Sequence, residues 1–356
     1  MNRSTVAARG VASAMLAGSW DAIGIRGRIK DCLGRDRAPR WLPRLIDQAL
    51  ELYPRPPRDR PRELAAVLQQ LPAWQEALRS ARPPKVLHWL IEPTEMATTR
   101  WPVTPLPDLG ALARLLDLDA GELAWFADAR ALERQATEPL RHYRWSALPK
   151  RDGVRLLAAP KPRLKEIQRR LLRHVLGPIT LHPAAHGGAP GRSVASALAP
   201  HAGAQVVIRA DLESFFAAIP ARRVYGVLRN AGYPEAVAYA VTGLCTTVIP
   251  RAVWQAIEPP ADRDRHRRLG HSLAAPHLPQ GAPTSPALAN LVAFSLDRRL
   301  SGLARAFDAE YTRYVDDLTF SGGSRLQSAR SAFMEQLATV TADEGFRLVE
   351  AKTVVL

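Results

Sequence analysis

The chain has 356 residues, enough for one large core or two moderate ones, and its 47% hydrophobic content is that of a globular protein. With 49 Lys+Arg against 34 Asp+Glu the formal balance is +15. That balance points to a polyanionic partner such as nucleic acid, with a merely solvated arginine-rich surface as the alternative. Cys32 and Cys245 lie far apart without CxxC spacing, which argues against a disulfide framework or a zinc site. Gly10, Ser13, Gly18 and Ser19 interrupt the apolar start, and no run approaches the ~20 apolar residues that span a bilayer. A cytoplasmic protein without membrane contact is expected. Residues 37 to 140 read as helical: Trp41, Leu42, Leu45, Ile46, Ala49 and Leu50 recur at helical spacing, as do Leu64, Val67, Leu68 and Leu71. Pro-rich breaks fall at 53–61 and 101–107, and Trp125 with Phe126 reads as helix–helix packing more than as a recognition helix.

From residue 141 the character changes. A basic segment, Arg141 to Arg155, leads into an amphipathic basic helix from Pro162 to Leu176. The β-prone run Val206 to Ala210 predicts a strand ending at Asp211, helices follow over 221–245, and 246–279 reads as an irregular basic insert. A Pro/Gly-rich turn at 279–286 opens a helix carrying Leu288, Leu291, Val292, Leu296 and Leu300. Tyr311 to Ser321 predicts two short strands around a tight turn, then a helix over 325–344 and a last strand near 346–350.

The chemistry concentrates in two places. In Tyr314-Val315-Asp316-Asp317 an acidic pair falls at a hairpin tip, where carboxylates crowd one small volume and a divalent cation relieves their repulsion. A lone Asp-Asp turn is more often simply solvated. Asp211 closes a strand about a hundred residues earlier, followed by Leu212-Glu213-Ser214-Phe215-Phe216. Two-metal phosphoryl transfer needs about three carboxylate groups around ions ~3.5–4 Å apart, and neighbouring strands of one antiparallel sheet could supply them.

With these segments together, the sequence resembles reverse transcriptases, and bacterial retron-type enzymes most. Tyr314 to Asp317 is similar to their YxDD box and Asp211 to Phe216 to their first catalytic motif. Leu278-Pro279-Gln280-Gly281-Ala282-Pro283-Thr284-Ser285-Pro286 is similar to the motif between them. Upstream, Leu148 to Arg155, Ala159 to Lys161, Leu164 to Arg169, Ala185 to Gly187 and Gly191 to Ser193 resemble the fingers segment. One departure is Ala197-Leu198-Ala199-Pro200-His201, where retron enzymes usually carry Asn-Ala ahead of the histidine and only His201 matches. The chain ends at Leu356 just after Glu350 to Thr353, which resembles the last palm motif, so the thumb is expected to be missing.

The resemblance implies an α+β fold: a right-hand polymerase fingers–palm core with an antiparallel palm sheet, preceded by a mostly helical N-terminal region. The expected divisions are 1–140 for that accessory region, 141–205 for fingers and 206–356 for palm. It implies an RNA-directed DNA polymerase copying a structured RNA through an RNA–DNA hybrid from deoxynucleoside triphosphates, in a retron-like antiviral defence system with a thumb-bearing or effector protein as partner. An RNA polymerase, an untemplated nucleotidyltransferase and an inactive RNA-binding subunit are the alternatives. By the same resemblance Asp211, Asp316, Asp317 and the Leu212 carbonyl hold two Mg²⁺ ions, replaceable by Mn²⁺. Lys150, Arg155, Phe216, Gln280 and Gly281 bind the nucleotide, with Phe216 excluding a 2′-hydroxyl. Arg141, Arg144, Arg163, Arg169, Arg170, Arg173, His186, Arg192 and Tyr314 contact nucleic acid.

Overall fold

The computed structural model describes residues 3–92, 94–150, 153–259, 262–349 and 354–355. The chain forms two compact units, Met1–Met96 with Pro234–Ala236, and Ala97–Tyr233 with Val237–Leu356. Residues 97–140, read above with the N-terminal region, thus belong to the second unit.

The first unit is a bundle of α1 (Arg3–Leu16), α2 (Ala22–Leu33), α3 (Leu42–Leu52), α4 (Pro61–Gln70) and α5 (Pro72–Arg79). The sequence pattern did not predict α1 or α2. In α1 the buried face is Ala7, Ala8, Ala12 and Ala14 around Val11 and Met15, so apolar contrast along the helix is weak. The Asp21 carboxylate caps α2 by accepting from the Gly24 N–H at 2.8 Å. That helix stops at Gly34, whose φ of +58° is the left-handed conformation a C-terminal cap needs. Proline in the first turns of α3, α4 and α5 suits a position whose N–H has no helical partner. Leu42, Leu45, Ile46, Leu64 and Leu68 fill the core, where Trp74 meets Trp41 edge-on at 6.4 Å.

The remaining elements, in chain order, start with α6 (Leu109–Leu116), α7 (Ala120–Phe126), β1 (Tyr143–Lys150), β2 (Gly153–Pro160) and α8 (Pro162–Leu171). Next come α9 (Val194–Leu198), β3 (Val206–Asp211), α10 (Ala221–Asn230), α11 (Glu235–Cys245), α12 (Arg251–Gln255) and α13 (Arg263–Leu273). Last are α14 (Ser285–Val292), α15 (Phe294–Ala306), β4 (Ala309–Tyr314), β5 (Asp317–Gly322), α16 (Ser324–Ser328), α17 (Arg330–Asp343) and β6 (Val354–Val355). The helix predicted to run to Leu176 finishes in a π-helical stretch, Leu172–Leu176. Trp125 and Phe126 pack on the His142 ring, with centroids 5.0 and 5.6 Å away. The final strand lies later than predicted, although an isolated bridge joins Leu212 to Leu348.

Two antiparallel sheets organise this unit: the β1–β2 hairpin, and a four-stranded sheet in the order β4-β5-β3-β6. Tyr311 stacks on Phe320 across the β4–β5 pair at 4.8 Å. Phe333 of α17 then meets Phe320 edge-on at 5.0 Å, covering one face of the sheet. The stretch read as an irregular insert contains α12 and α13. Asp262 caps α13 by accepting from the Arg265 N–H at 2.8 Å. Leu273 and Ile249 bury against Leu156 of β2, with Leu269 and Trp254 packed around them. High charge hid this helix, because only Leu269 and Leu273 carry its apolar stripe.

Candidate active site

A cavity of about 280 Å³ is walled by β2, the loop after β3, α13 and the β4–β5 turn. Arg155, Asp211, Leu212, Phe216, Gln280, Tyr314, Asp316 and Asp317 all line it. Eight of the predicted residues therefore converge, although they come from segments spread over more than 160 positions of the chain.

Strand register brings the acids together. β3 and β5 pair antiparallel with Asp211 opposite Asp317, so their side chains share a face with Cβ atoms ~4.5–5.5 Å apart. Ile208 and Ala210 on β3, and Leu318 and Phe320 on β5, are all buried. A slip of one residue would turn each of them over, so burial fixes the register. Asp211 is also held from both sides: Val349 N–H donates to its carbonyl at 2.8 Å, and Leu212 N–H donates to the Asp316 carbonyl at 2.9 Å.

The sequence reading put both acids in the turn, but β4 pairs Tyr314 with Asp317, leaving Val315 and Asp316 as the two-residue loop. Asp317 is the first residue of β5. Val315 has φ +59°. A two-residue hairpin turn demands positive φ at its first position, where Asn or Gly is usual and a β-branched residue is an outlier.

The loop after β3 has its own left-handed residue, Ser214 at φ +50°. Two adjacent phenylalanines follow it and differ in burial. Phe215 is buried against Phe346 at 5.4 Å and Phe216 is half-buried, and both line the cavity. Glu213 turns toward α13 and pairs with Arg268 at 3.1 Å and Arg265 at 3.8 Å. Arg265 and His266 complete that wall; sequence reasoning missed both, because the helix bearing them was not foreseen. At the cavity edge His277 is buried, which pushes its imidazole down to about 4.

The other predicted residues differ in how they sit. Lys150 belongs to β1 by its backbone, but its side chain lies outside the described residues. Ala158 N–H donates to the Gln280 carbonyl at 2.8 Å, and a Cβ on Gly281 would stand 3.2 Å from the Ala158 carbonyl oxygen. Glycine there admits the β2 backbone. Arg144, Arg169 and Arg173 are exposed. Arg163 and Arg170 both bridge Glu166, at 3.2 and 2.9 Å, and Arg141 Nε donates to the Ala136 carbonyl at 3.0 Å. Arg192 donates to the carbonyls of His182, Pro183 and Ala185, which commits its guanidinium to shaping that loop. His186 Nδ1 lies 2.8 Å from Ser196 Oγ. His201 is buried between Ser321 Oγ at 2.6 Å and Thr312 Oγ1 at 2.8 Å, which ties β4 to β5.

Among the described residues no group of three or more His, Cys, Asp or Glu side chains is gathered to hold a metal, and no helix is long and apolar enough to cross a membrane. Residues 148–356 match the family described as reverse transcriptase (RNA-dependent DNA polymerase). The chain is 41% identical over 246 residues to the retron Mx65 reverse transcriptase of Myxococcus xanthus, covering 68% of this chain and 53% of that protein. It is 37% identical over 261 residues to the retron Mx162 reverse transcriptase of the same organism, covering 70% and 51%. With the retron Ec86 reverse transcriptase of Escherichia coli it shares 30% over 200 residues, covering 56% and 53%. The chain spans about half the length of the curated relatives it matches. A family match over more than half of the sequence, on residues that converge at one cavity, means that the chain belongs to the reverse transcriptase family.

Proposed function

We propose that this chain copies an RNA template into DNA by nucleotidyl transfer at the Asp211–Asp316–Asp317 site. The observation that carries the reading is the register: Asp211 stands opposite Asp317, with Asp316 next to it in the turn, on the wall of a cavity that Arg155, Phe216 and Gln280 share. In this reading β1–β2 and residues up to about 205 are the fingers and the β3–β6 sheet with its helices is the palm.

The donor set suits Mg²⁺, which takes hard oxygens, binds through one or two carboxylates and completes its octahedron with water and substrate phosphates. Asp211, Asp316 and the Leu212 carbonyl would hold two such ions, with Asp317 beside them and Mn²⁺ as a substitute. When bound, the ions activate the attacking oxygen and stabilise the charge on the transferring phosphoryl group. Arg155, with Lys150 from the facing strand, attracts the triphosphate and holds it in line for attack. Phe216 sits under the sugar and leaves no room for a 2′-hydroxyl.

A structured RNA as template, and a retron-like defence setting, extend the same reading; the support is the retron origin in the relatives' names. The test is primer extension on an RNA template with Mg²⁺ and deoxynucleotides. Wild type should extend the primer, and Asp316→Ala or Asp211→Ala should abolish extension while RNA affinity stays within a few-fold. Extension at the wild-type rate by the Asp316 variant would overturn the reading.

A further inference from the structure

We infer that Arg313 is a positioning residue: a fully buried guanidinium that holds the strained Val315 turn and thereby fixes where Asp316 stands. Arg313 makes no contribution to the cavity wall, and both it and its partner Asp297 are wholly buried. Its Nε and Nη2 form a two-pronged pair with the Asp297 carboxylate at 2.8 and 2.6 Å. Its Nη1 donates to Asn290 Oδ1 at 3.0 Å and to the Val315 carbonyl at 2.9 Å. One planar group thus ties the first residue of the turn to α14 and α15.

The brace has a second side. Asn290 Nδ2 donates to the Gly187 carbonyl at 3.0 Å. A Cβ on Gly187 would stand 2.5 Å from Val315 Cγ2 and 2.6 Å from the Val315 nitrogen, so this glycine presses directly on the turn. The backbone of Arg313 joins in, with its N–H donating to the Ala184 carbonyl at 2.8 Å and its carbonyl accepting from the His186 N–H at 2.8 Å. Tyr311 OH supplies another donor to Asp297 Oδ1 at 2.9 Å.

The physical argument is one of strain and restraint. A valine at φ +59° is held against its own preference and persists only where the surroundings over-determine it. The surroundings here are Arg313 at the carbonyl of Val315 and Gly187 at its nitrogen. A buried charge pair is a poor source of net stability but a good source of fixed geometry, since its bonds have no water to exchange with. Lysine in place of Arg313 would keep a charge for Asp297 but could not reach Asp297, Asn290 and Val315 together, because it lacks the rigid fork.

The proposal rests on the function proposed above, and a two-by-two set of proteins separates the two ideas: wild type, R313K, V315G and R313K/V315G. Glycine adopts positive φ without strain, so in V315G the turn no longer needs holding. R313K should lower kcat at least 30-fold in the valine protein, with KM for deoxynucleotide and RNA affinity within threefold, and less than fivefold when introduced into V315G. Thermal unfolding gives a readout independent of activity. V315G should raise the midpoint more in the arginine protein than in R313K, where the turn has already relaxed. Equal shifts in the two backgrounds, or an equal loss of kcat, would overturn the brace. Absence of polymerisation by wild type would overturn the proposed function and leave the thermal comparison standing. G187A probes the turn from its other side and should lower kcat without raising KM for the nucleotide. A kcat within twofold of wild type would count against Gly187 as part of the brace.

Discussion

Two antiparallel hairpins contribute to the same cavity. The β1–β2 hairpin runs eight residues on each strand, with Arg144, Ser146, Ala147, Leu148 and Arg155 exposed. The β4–β5 hairpin runs six on each, and Tyr311, Thr312, Arg313, Leu318, Thr319, Phe320 and Ser321 are all buried. β3 pairs along the inner one, His201 bolts its strands together, and Arg313 ties its turn to two helices. A hairpin that offers positive charge can work from solvent, because Coulomb attraction is long-ranged and forgiving of position. In the function proposed above, the other hairpin presents a carboxylate to a reacting phosphate, which requires placement within a fraction of an ångström, and burial with cross-ties provides that.

The sharpest way to break this comparison is to remove one charge from each hairpin. Asp316→Ala should lower the rate of single-nucleotide addition by at least about 10³-fold, the scale of losing a group that stabilises the transition state. Arg155→Ala should cost about 10–100-fold, chiefly as a raised KM for the nucleotide, because an exposed cation is screened and other positive charge remains. Rapid-quench kinetics across nucleotide concentrations measures both. Equal losses would mean that burial has no bearing on the division of roles.

The segment bonded to the outer hairpin at β2 carries a second prediction. Leu278 N–H donates to the Ile219 carbonyl at 3.1 Å, His277 and Thr247 exchange backbone bonds, and Gln280 accepts from β2. His277 is buried within this segment, and burial holds its imidazole at about 4 against an ordinary value near 6.5, the Nδ1 contact with the Ala275 carbonyl opposing in part. The folded state therefore resists a proton that the unfolded chain accepts. Stability from this residue is fully present above pH ~6.5 and is lost as pH falls toward 4. Urea unfolding at pH 7 and pH 4.5 should show wild type losing ~2–3 kcal/mol more than His277→Asn over that interval. An equal loss in the two proteins would assign the acid sensitivity elsewhere.

What could be read from sequence follows the same division. The acids were legible because local signals surround them, a β-branched run before Asp211 and a hairpin pattern around Asp316, whereas Phe216 and Gln280 were expected only from the resemblance. Their convergence follows from strand register, which no local pattern specifies. Arg313 and Asp297 left only a faint trace, a charge at an inward strand position and another on the apolar side of the helix carrying Leu296, Leu300 and Leu303. Charged residues on buried faces are rare unless paired, so that trace could have been read as a pair. The helix α13 was hidden for the opposite reason. Its eleven residues carry so much charge that two leucines had to mark the buried side.

The adjacent phenylalanines refine the comparison at the sugar. Phe215 is buried against Phe346 and Phe216 is half-buried, and both rings reach the cavity wall. Phe216→Ala should raise ribonucleotide use relative to deoxyribonucleotide at least tenfold in kcat/KM, about 1.4 kcal/mol. Phe215→Ala should act on the fold instead, costing ~3–5 kcal/mol in urea unfolding with the sugar preference unchanged. A reversal of these two outcomes would assign the sugar contact to Phe215 instead.

The smallest expected effect lies on the exposed side, where charge acts one contact at a time. Seven arginines were candidates for nucleic-acid contact, but Arg163 and Arg170 already share Glu166, Arg141 is anchored at the Ala136 carbonyl, and Arg192 is bonded to the His182, Pro183 and Ala185 carbonyls. Arg144 of β1 with Arg169 and Arg173 beyond it remain exposed, and these three are expected to meet nucleic acid most directly. Each phosphate neutralised contributes about −0.9 to the slope of log affinity against log salt on a duplex, somewhat less on a single strand. Replacing all three by glutamine should therefore make that slope shallower by about 2–3, with primer extension at saturating template changed little. Filter binding of an RNA–DNA hybrid between 50 and 300 mM salt provides the measurement. The same substitutions at Arg163 and Arg170 should move the slope less, because Glu166 already neutralises part of their charge. A slope untouched by the first set would turn attention to Arg263, Arg265 and Arg267 of α13, the other concentration of positive charge beside the cavity.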